Sequence, residues 1–211
     1  NIKRYSASIK RAYPNLPIFA GGVHVSAAPK LVLKDCPAID IVGLFEGDIS
    51  FGNILDYANG RIGEGGLTQL AALVDGDFFE NRERAVKTAE SLDLMPDYGE
   101  LSVGEYSKHT WIGTFDFLHP TGTRAATVLA NVGCRAHCTF CAVRSFNGMG
   151  VAMRSVSAVV DELLMLRDTY GISHIMWLDD DLLYNKGGRV IHLFNEMVRR
   201  KVGMTWDASN G

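Results

Sequence analysis

The chain has 211 residues, 47% of them hydrophobic, and a formal charge of −3 with both signs interspersed. That length holds one large domain or two small ones, and the charge makes no demand for nucleic acid or an anionic membrane as partner. No apolar run approaches the ~18 residues of a transmembrane helix, and Asn1-Ile2-Lys3-Arg4 shows no signal-peptide plan.

Position 1 is not Met, which reads as a chain cut from a longer one. Ile2, Tyr5, Ile9 and Tyr13 fall at helical spacing and Pro14 follows, so a helix ends there. Residues 17–20 read as a short buried strand ending at Gly21-Gly22. Ser26 is placed to cap a helix over 27–35, with Pro29 in its first turn. His24 reads as a rim or core histidine, and Cys36 as a buried apolar residue. Residues 39–45 form a second apolar strand, followed by Glu46-Gly47-Asp48 and a helix over 49–59 with Phe51, Ile54, Leu55 and Ala58 on one face. Strand and helix alternating over such short spans predict an α/β fold with a doubly wound parallel sheet. Ligands of such sheets bind beyond the carboxyl ends of the strands, where Gly21-Gly22 and Glu46-Gly47 both stand.

Residues 66–87 read as a hairpin turning at Asp75-Gly76. The polar stretch 88–122 reads as a linker, with Trp111, Phe115 and Phe117 as packing anchors or ordinary core. Residues 125–132 form one strand leading into Cys134-Arg-Ala-His-Cys138-Thr-Phe-Cys141. Beyond that loop, Ser155 or Ser157 caps a helix whose buried face is Val159, Leu163, Leu166 and Tyr170, and Gly171 ends it. A strand over 172–178 delivers Asp179-Asp180-Asp181. A helix over 187–200 and a strand over 204–207 complete three βα-type units.

The cysteine loop carries the chemistry. Three of the four cysteines lie within eight positions. Thiolates are soft ligands for zinc, copper(I) or iron–sulfur clusters. A structural zinc site needs a fourth ligand at a recognisable spacing, and none follows. Three thiolates without a fourth point to a four-iron cluster with one iron open, and an open position marks a reactive centre. A zinc clip is the rival reading. Cysteines used as metal ligands point to a reducing cytoplasm. In the acidic run, each charge raises the cost of ionising its neighbours. Its place at a strand end suits ligand contact; an acidic cluster at a helix N-terminus is the alternative. Asp207, Ser209 and Asn210 stand at the end of the third strand, a further place for ligand contact.

The CxxxCxxC spacing, with Phe140 just before the third cysteine, resembles the signature of radical S-adenosylmethionine (SAM) enzymes. The stretch from Gly21-Gly22-Val-His24 through Ile39 to Asp48 resembles the C-terminal half of the cobalamin-binding domain found ahead of that domain in one large subfamily. The Asp-x-His-x-x-Gly loop and Ser-x-Leu motif of that domain do not occur in this chain.

The resemblance implies a Rossmann-like cobalamin-binding part over 1–87, a linker over 88–122, and the first half of a radical SAM βα partial barrel over 123–211. It implies a [4Fe-4S] cluster on Cys134, Cys138 and Cys141. It places SAM against Phe140, Asp179, Asp180 and Asp181, with loop packing the other reading for Phe140. It places cobalamin against Gly21, Gly22, Glu46 and Gly47. The implied outcome is methyl transfer or a ring-forming oxidation of a small-molecule substrate, with flavodoxin or ferredoxin as electron donor. A radical SAM protein without cobalamin and a non-catalytic zinc-clipped protein stand beside this reading.

Overall fold

A computed structural model of the protein describes residues 1–84, 89–109, 120 and 122–208. Trp111, Phe115, Phe117, Ser209 and Asn210 lie outside the described residues. The chain groups into two compact units, residues 1–86 with 142–148, and residues 87–141 with 149–211.

The first unit opens with α1 (Ile2–Ala12) and β1 (Phe19–Ala20). The helix expected over 27–35 divides into α2 (Val23–Ala27) and α3 (Pro29–Asp35). Pro29 disfavours helical geometry in the residue before it, and Ala28 sits at φ −139°, ψ 52°. Ser26 is therefore inside α2 rather than at a cap. Its hydroxyl donates to the Gly22 carbonyl at 3.0 Å and accepts from the Phe45 amide at 2.8 Å. Then follow β2 (Ile41–Gly43) and α4 (Gly47–Ala58). The expected hairpin is formed by β3 (Leu70–Val74) and β4 (Asp77–Asn81).

The sheet order is β1-β2-β3-β4, parallel between β1 and β2 and antiparallel thereafter. Alternation along the strands sends successive side chains to opposite faces. Val42 and Ala71 join Val25, Val32 and Leu33 of α2 and α3 in one core. Gly43 turns to the other face, under α4. A Cβ there would stand 2.2 Å from Cζ of Phe19 and 2.6 Å from Oγ of Ser50. Gly43→Ala is expected to lower the first unit's stability by about 1–3 kcal/mol, the usual range for overpacking. An unchanged urea midpoint in the variant would show that α4 is not seated so closely.

The second unit takes in α5 (Ala89–Leu92) and α6 (Val103–Tyr106), from the stretch expected to be linker. Val103 is buried in its core and Tyr98 packs against that core. The strand expected over 125–132 is two: β5 (Ala125–Val128) and β6 (Asn131–Cys134). After the cysteine loop come α7 (Val143–Asn147), β7 (Gly150–Met153), α8 (Val156–Tyr170), β8 (His174–Trp177), α9 (Arg189–Arg199) and β9 (Thr205–Ala208). Of these, α7 belongs with the first unit. β5, β8 and β9 form a parallel sheet in the order β5-β8-β9, and β6 pairs antiparallel with β7.

α8 starts and stops where its local chemistry directs. Oγ of Ser155 accepts from the Ala158 amide at 3.2 Å, and Gly171 closes the helix at φ 66°. Val159, Leu163 and Leu166 of α8 and Leu193 of α9 pack on Val128, Ile175 and Trp177. That covers one face of the parallel sheet and fixes the direction of its strand ends.

Candidate functional site: the cysteine loop and its footing

The cysteine loop rises from a corner. After Val128 the chain leaves the parallel sheet, and at Asn131 it enters the two-stranded ribbon with β7. Backbone groups at such a corner lose their ladder partners, and buried ones need substitutes. Charged side chains supply them. Asp179 accepts from the amides of Ala130, at 3.0 Å, and Asn131, at 2.5 Å. Arg154 donates to the Leu129 carbonyl at 2.9 Å. Arg189 donates to the carbonyls of Ala130, at 3.2 Å, and Arg154, at 2.7 Å. The Asn131 amide group reaches the carbonyls of Asp181 and Leu182. Asp181 in turn accepts from the Arg135 guanidinium at 3.2 Å.

The acidic run therefore divides. Asp179 is only 2% exposed and faces the corner backbone. The SAM contact that the resemblance gives it would require this carboxylate to release Ala130 or Asn131, so its place is beneath the loop. Asp181 is buried and holds Arg135, the residue after Cys134. Asp180 is half-buried between them. Burial pushes the Asp179 carboxyl up to about 6, against the two amides and Arg189, which favour its charged form. Burial also lowers the Arg189 guanidinium.

A carboxyl raised in the folded state contributes stability fully present below its unfolded value of about 3.9 and lost as pH rises through about 6. In wild type, this component of the urea midpoint falls between about pH 4 and 6 and is flat above. Asp179→Asn removes that component. It also offers one acceptor oxygen to two amide donors, and is expected to cost about 1–3 kcal/mol at pH 7. A variant that keeps the wild-type pH profile would show that Asp179 is not the titrating group.

All four cysteines are free thiols. Cys36 is buried in the core of the first unit, as expected. Cys134 is half-buried at the end of β6, and Cys138 and Cys141 are exposed. Sγ of Cys134 accepts from the Ala136 amide at 3.3 Å. Among the described residues, no three His, Cys, Asp or Glu side chains converge into a metal-holding group. The donor chemistry nonetheless suits a metal: three free thiols on one short loop, with an amide already directed at one sulfur and a fixed base below. Phe140 is 90% exposed, which overturns loop packing as its role and leaves its ring open to a ligand.

Around the first sheet, His24 is exposed on α2, a rim residue. A Cβ on Gly22 or Gly47 would meet nothing within 4 Å, and one on Gly21 would make ordinary contacts at 3.7 and 3.9 Å. Space thus lies open over Gly22 and Gly47. Glu46 is committed elsewhere: both of its carboxylate oxygens accept from Arg84, at 2.7 and 3.0 Å. In this structure the Glu46 carboxylate is thus engaged by a guanidinium. In the second unit, Asp207 accepts a place beside buried His174, Oδ2 to Nε2 at 3.0 Å, while Nδ1 of His174 meets the Thr205 hydroxyl at 2.8 Å.

Arg154, Glu162, Arg189 and Arg84 do not stand out in the sequence as site residues. Glu162 leaves one signal: a carboxylate in the middle of the apolar face of α8.

No family model matches the chain. It is 30% identical over 216 aligned positions to the cytidylyl-2-hydroxyethylphosphonate methyltransferase of Streptomyces wedmorensis, covering 90% of this chain and 38% of the relative. It is 26% identical to the anaerobic magnesium-protoporphyrin IX monomethyl ester cyclase of Cereibacter sphaeroides, covering 89% of this chain and 29% of the relative. The chain thus spans well under half the length of these curated relatives. Its fold matches that of the cobalamin-dependent SAM radical enzyme OxsB, solved with aqua-cobalamin and SAM, at a TM-score of 0.75 and 19% identity over 97% of this chain and 27% of that one. No helix among the described residues is long and apolar enough to cross a membrane. In sequence, then, the chain is similar to a methyltransferase and a cyclase, and in fold it is similar to a cobalamin-dependent SAM radical enzyme.

Proposed function

We propose that the chain carries the cluster loop of a radical SAM enzyme that performs methyl transfer or cyclisation on a small molecule. The observation that carries the reading is the set of three free thiols on a loop whose base is held by Asp179, Asp181, Arg154 and Arg189. Cys134, Cys138 and Cys141 would hold a [4Fe-4S] cluster. When bound, such a cluster supplies one electron to SAM, received from a flavodoxin or ferredoxin, and so yields methionine and a 5′-deoxyadenosyl radical.

The protein's part is to bind and orient, since the cofactor brings the radical chemistry. The clamped corner fixes Cys134, and Cys138 and Cys141 are exposed on the loop beyond it. The exposed Phe140 ring would offer an aromatic face to the adenine of SAM, and Asp180, near the strand end, would receive its amino group. Gly22 and Gly47 leave the backbone of the first sheet approachable by the flat ring of cobalamin.

The test is anaerobic reconstitution of the full-length protein with iron and sulfide. About four irons and four sulfides per chain, with 5′-deoxyadenosine released from SAM under reductant, are expected. Stoichiometric zinc without iron in anaerobically purified protein would overturn the reading and favour the zinc clip. Added cobalamin is expected to co-purify; its loss on desalting would leave a radical SAM protein without it.

A further inference from the structure

Arg84 follows β4 and is half-buried. One of its terminal nitrogens donates to both oxygens of Glu46, and at 2.8 Å to the carbonyl of Phe146 in α7. Its guanidinium carbon lies 4.1 Å from the centroid of the Phe45 ring. Phe45 itself stands at φ 64°, a conformation uncommon for a bulky residue, and is kept there by the bond from its amide to Ser26. Gly148, just past α7, has φ 80°, and a Cβ on it would come within 2.4 Å of the Arg84 guanidinium. Only glycine leaves that space at that backbone angle. Each group therefore serves to seat one guanidinium against the segment that leaves Cys141. That segment, residues 142–148, groups with the first unit and packs beside α2.

We propose that Arg84, held by Glu46, is a positioning residue that fixes the outgoing leg of the cysteine loop, so that the setting of Cys141 depends on the Phe45-Glu46 turn at the end of β2. The claim rests on the cluster reading above, for it gives that leg its task. A solvated surface pair would be worth little. This one is three-quarters buried on both sides, stacked on an aromatic face and shared with a backbone carbonyl.

The experiment uses the full-length protein, reconstituted anaerobically with iron and sulfide, as wild type, Arg84→Ala, Arg84→Lys, Gly148→Ala and Arg82→Ala. Arg82 faces the same Phe45 ring at 5.7 Å and bonds to Ser26, so it controls for general damage to the turn. Three quantities are read: hydrogen exchange of the 142–148 amides, the electron paramagnetic resonance spectrum of the reduced cluster with and without SAM, and KM for SAM against kcat. In Arg84→Ala and Gly148→Ala, exchange in 142–148 is expected to rise about tenfold, the equivalent of one lost charged hydrogen bond. The SAM-induced change in the spectrum should shrink, and KM for SAM should rise more than kcat falls. Arg84→Lys should restore part of each, and Arg82→Ala should match wild type.

Equal exchange in Arg82→Ala and Arg84→Ala would overturn the proposal, as would wild-type spectra and KM in Arg84→Ala. Should Arg84→Ala not fold, Gly148→Ala decides, because it displaces the guanidinium without removing it. Should wild type bind no iron, the cluster reading fails while the exchange measurement still decides whether Arg84 holds the segment.

Discussion

Replacing Glu162 with alanine is expected to destabilise the second unit by about 3–5 kcal/mol, the range for breaking a buried ion pair from one side. Glu162 and Arg154 have side chains only 3% and 8% exposed and meet at 2.5 Å. The Tyr98 hydroxyl donates to the other carboxylate oxygen at 2.6 Å, and burial together with that bond holds its pKa above the usual phenol value. Without Glu162, Arg154 keeps a buried charge and its bond to the Leu129 carbonyl but loses its carboxylate, and the tyrosine hydroxyl loses its acceptor. The urea midpoint of the intact protein reads the loss.

A double variant separates charge burial from loop support. Arg154→Met with Glu162→Met removes both charges, and apolar replacement of a buried pair is often neutral. Most of the stability is therefore expected to return. The Leu129 carbonyl still lacks its donor, so hydrogen exchange around 129–134 should stay fast. If Glu162→Ala costs less than about 1 kcal/mol, the pair is solvated and the corner does not depend on it.

That network also explains where sequence reasoning stops. The cap at Ser155 and the stop at Gly171 were legible because a hydroxyl and a missing Cβ act within one turn of helix. The hairpin at Asp75-Gly76 was legible for the same reason. The corner at Leu129-Ala130 was not. Residues 125–132 are uniformly apolar enough to read as one strand, and the bend is stabilised by Arg154, Asp179 and Arg189, which are 25 to 59 positions away. Periodicity within a window carries no trace of such partners. Ser26 misled in a related way: a hydroxyl before an apolar run looks like a cap, but Pro29 had already ended that helix and its oxygen serves Phe45 across the unit.

The candidate site divides along the same line. Its cysteines are visible in spacing alone. The roles of Asp179 and Glu46 depend on which buried donors face them, Ala130 and Asn131 for one and Arg84 for the other. Both carboxylates stand at strand ends, where ligands of this fold class bind, and both are spent on holding the loops that would do the binding. Strand-end placement thus identifies the region and leaves open which acid meets the ligand.

Substituting any one of Cys134, Cys138 or Cys141 with alanine is expected to abolish retention of iron and to lower 5′-deoxyadenosine formation by more than about a hundredfold, since even outer partners of metal ligands are worth about ten- to a hundredfold. The same changes should leave the iron-free fold almost untouched at Cys138 and Cys141, within about 0.5 kcal/mol, because exposed positions without special contacts tolerate substitution. Cys36→Ala should behave oppositely. Cys36 is 5% exposed in the core of the first unit, so its loss costs about 1 kcal/mol of stability and leaves iron content unchanged. The opposed responses distinguish a metal loop from four thiols that merely fill space. Iron retained in Cys138→Ala, or lost in Cys36→Ala with the fold intact, would place the metal elsewhere. Zinc bound by wild type and lost from all three loop variants would keep the loop as a metal site but make it structural, because zinc has no redox chemistry with which to cleave SAM.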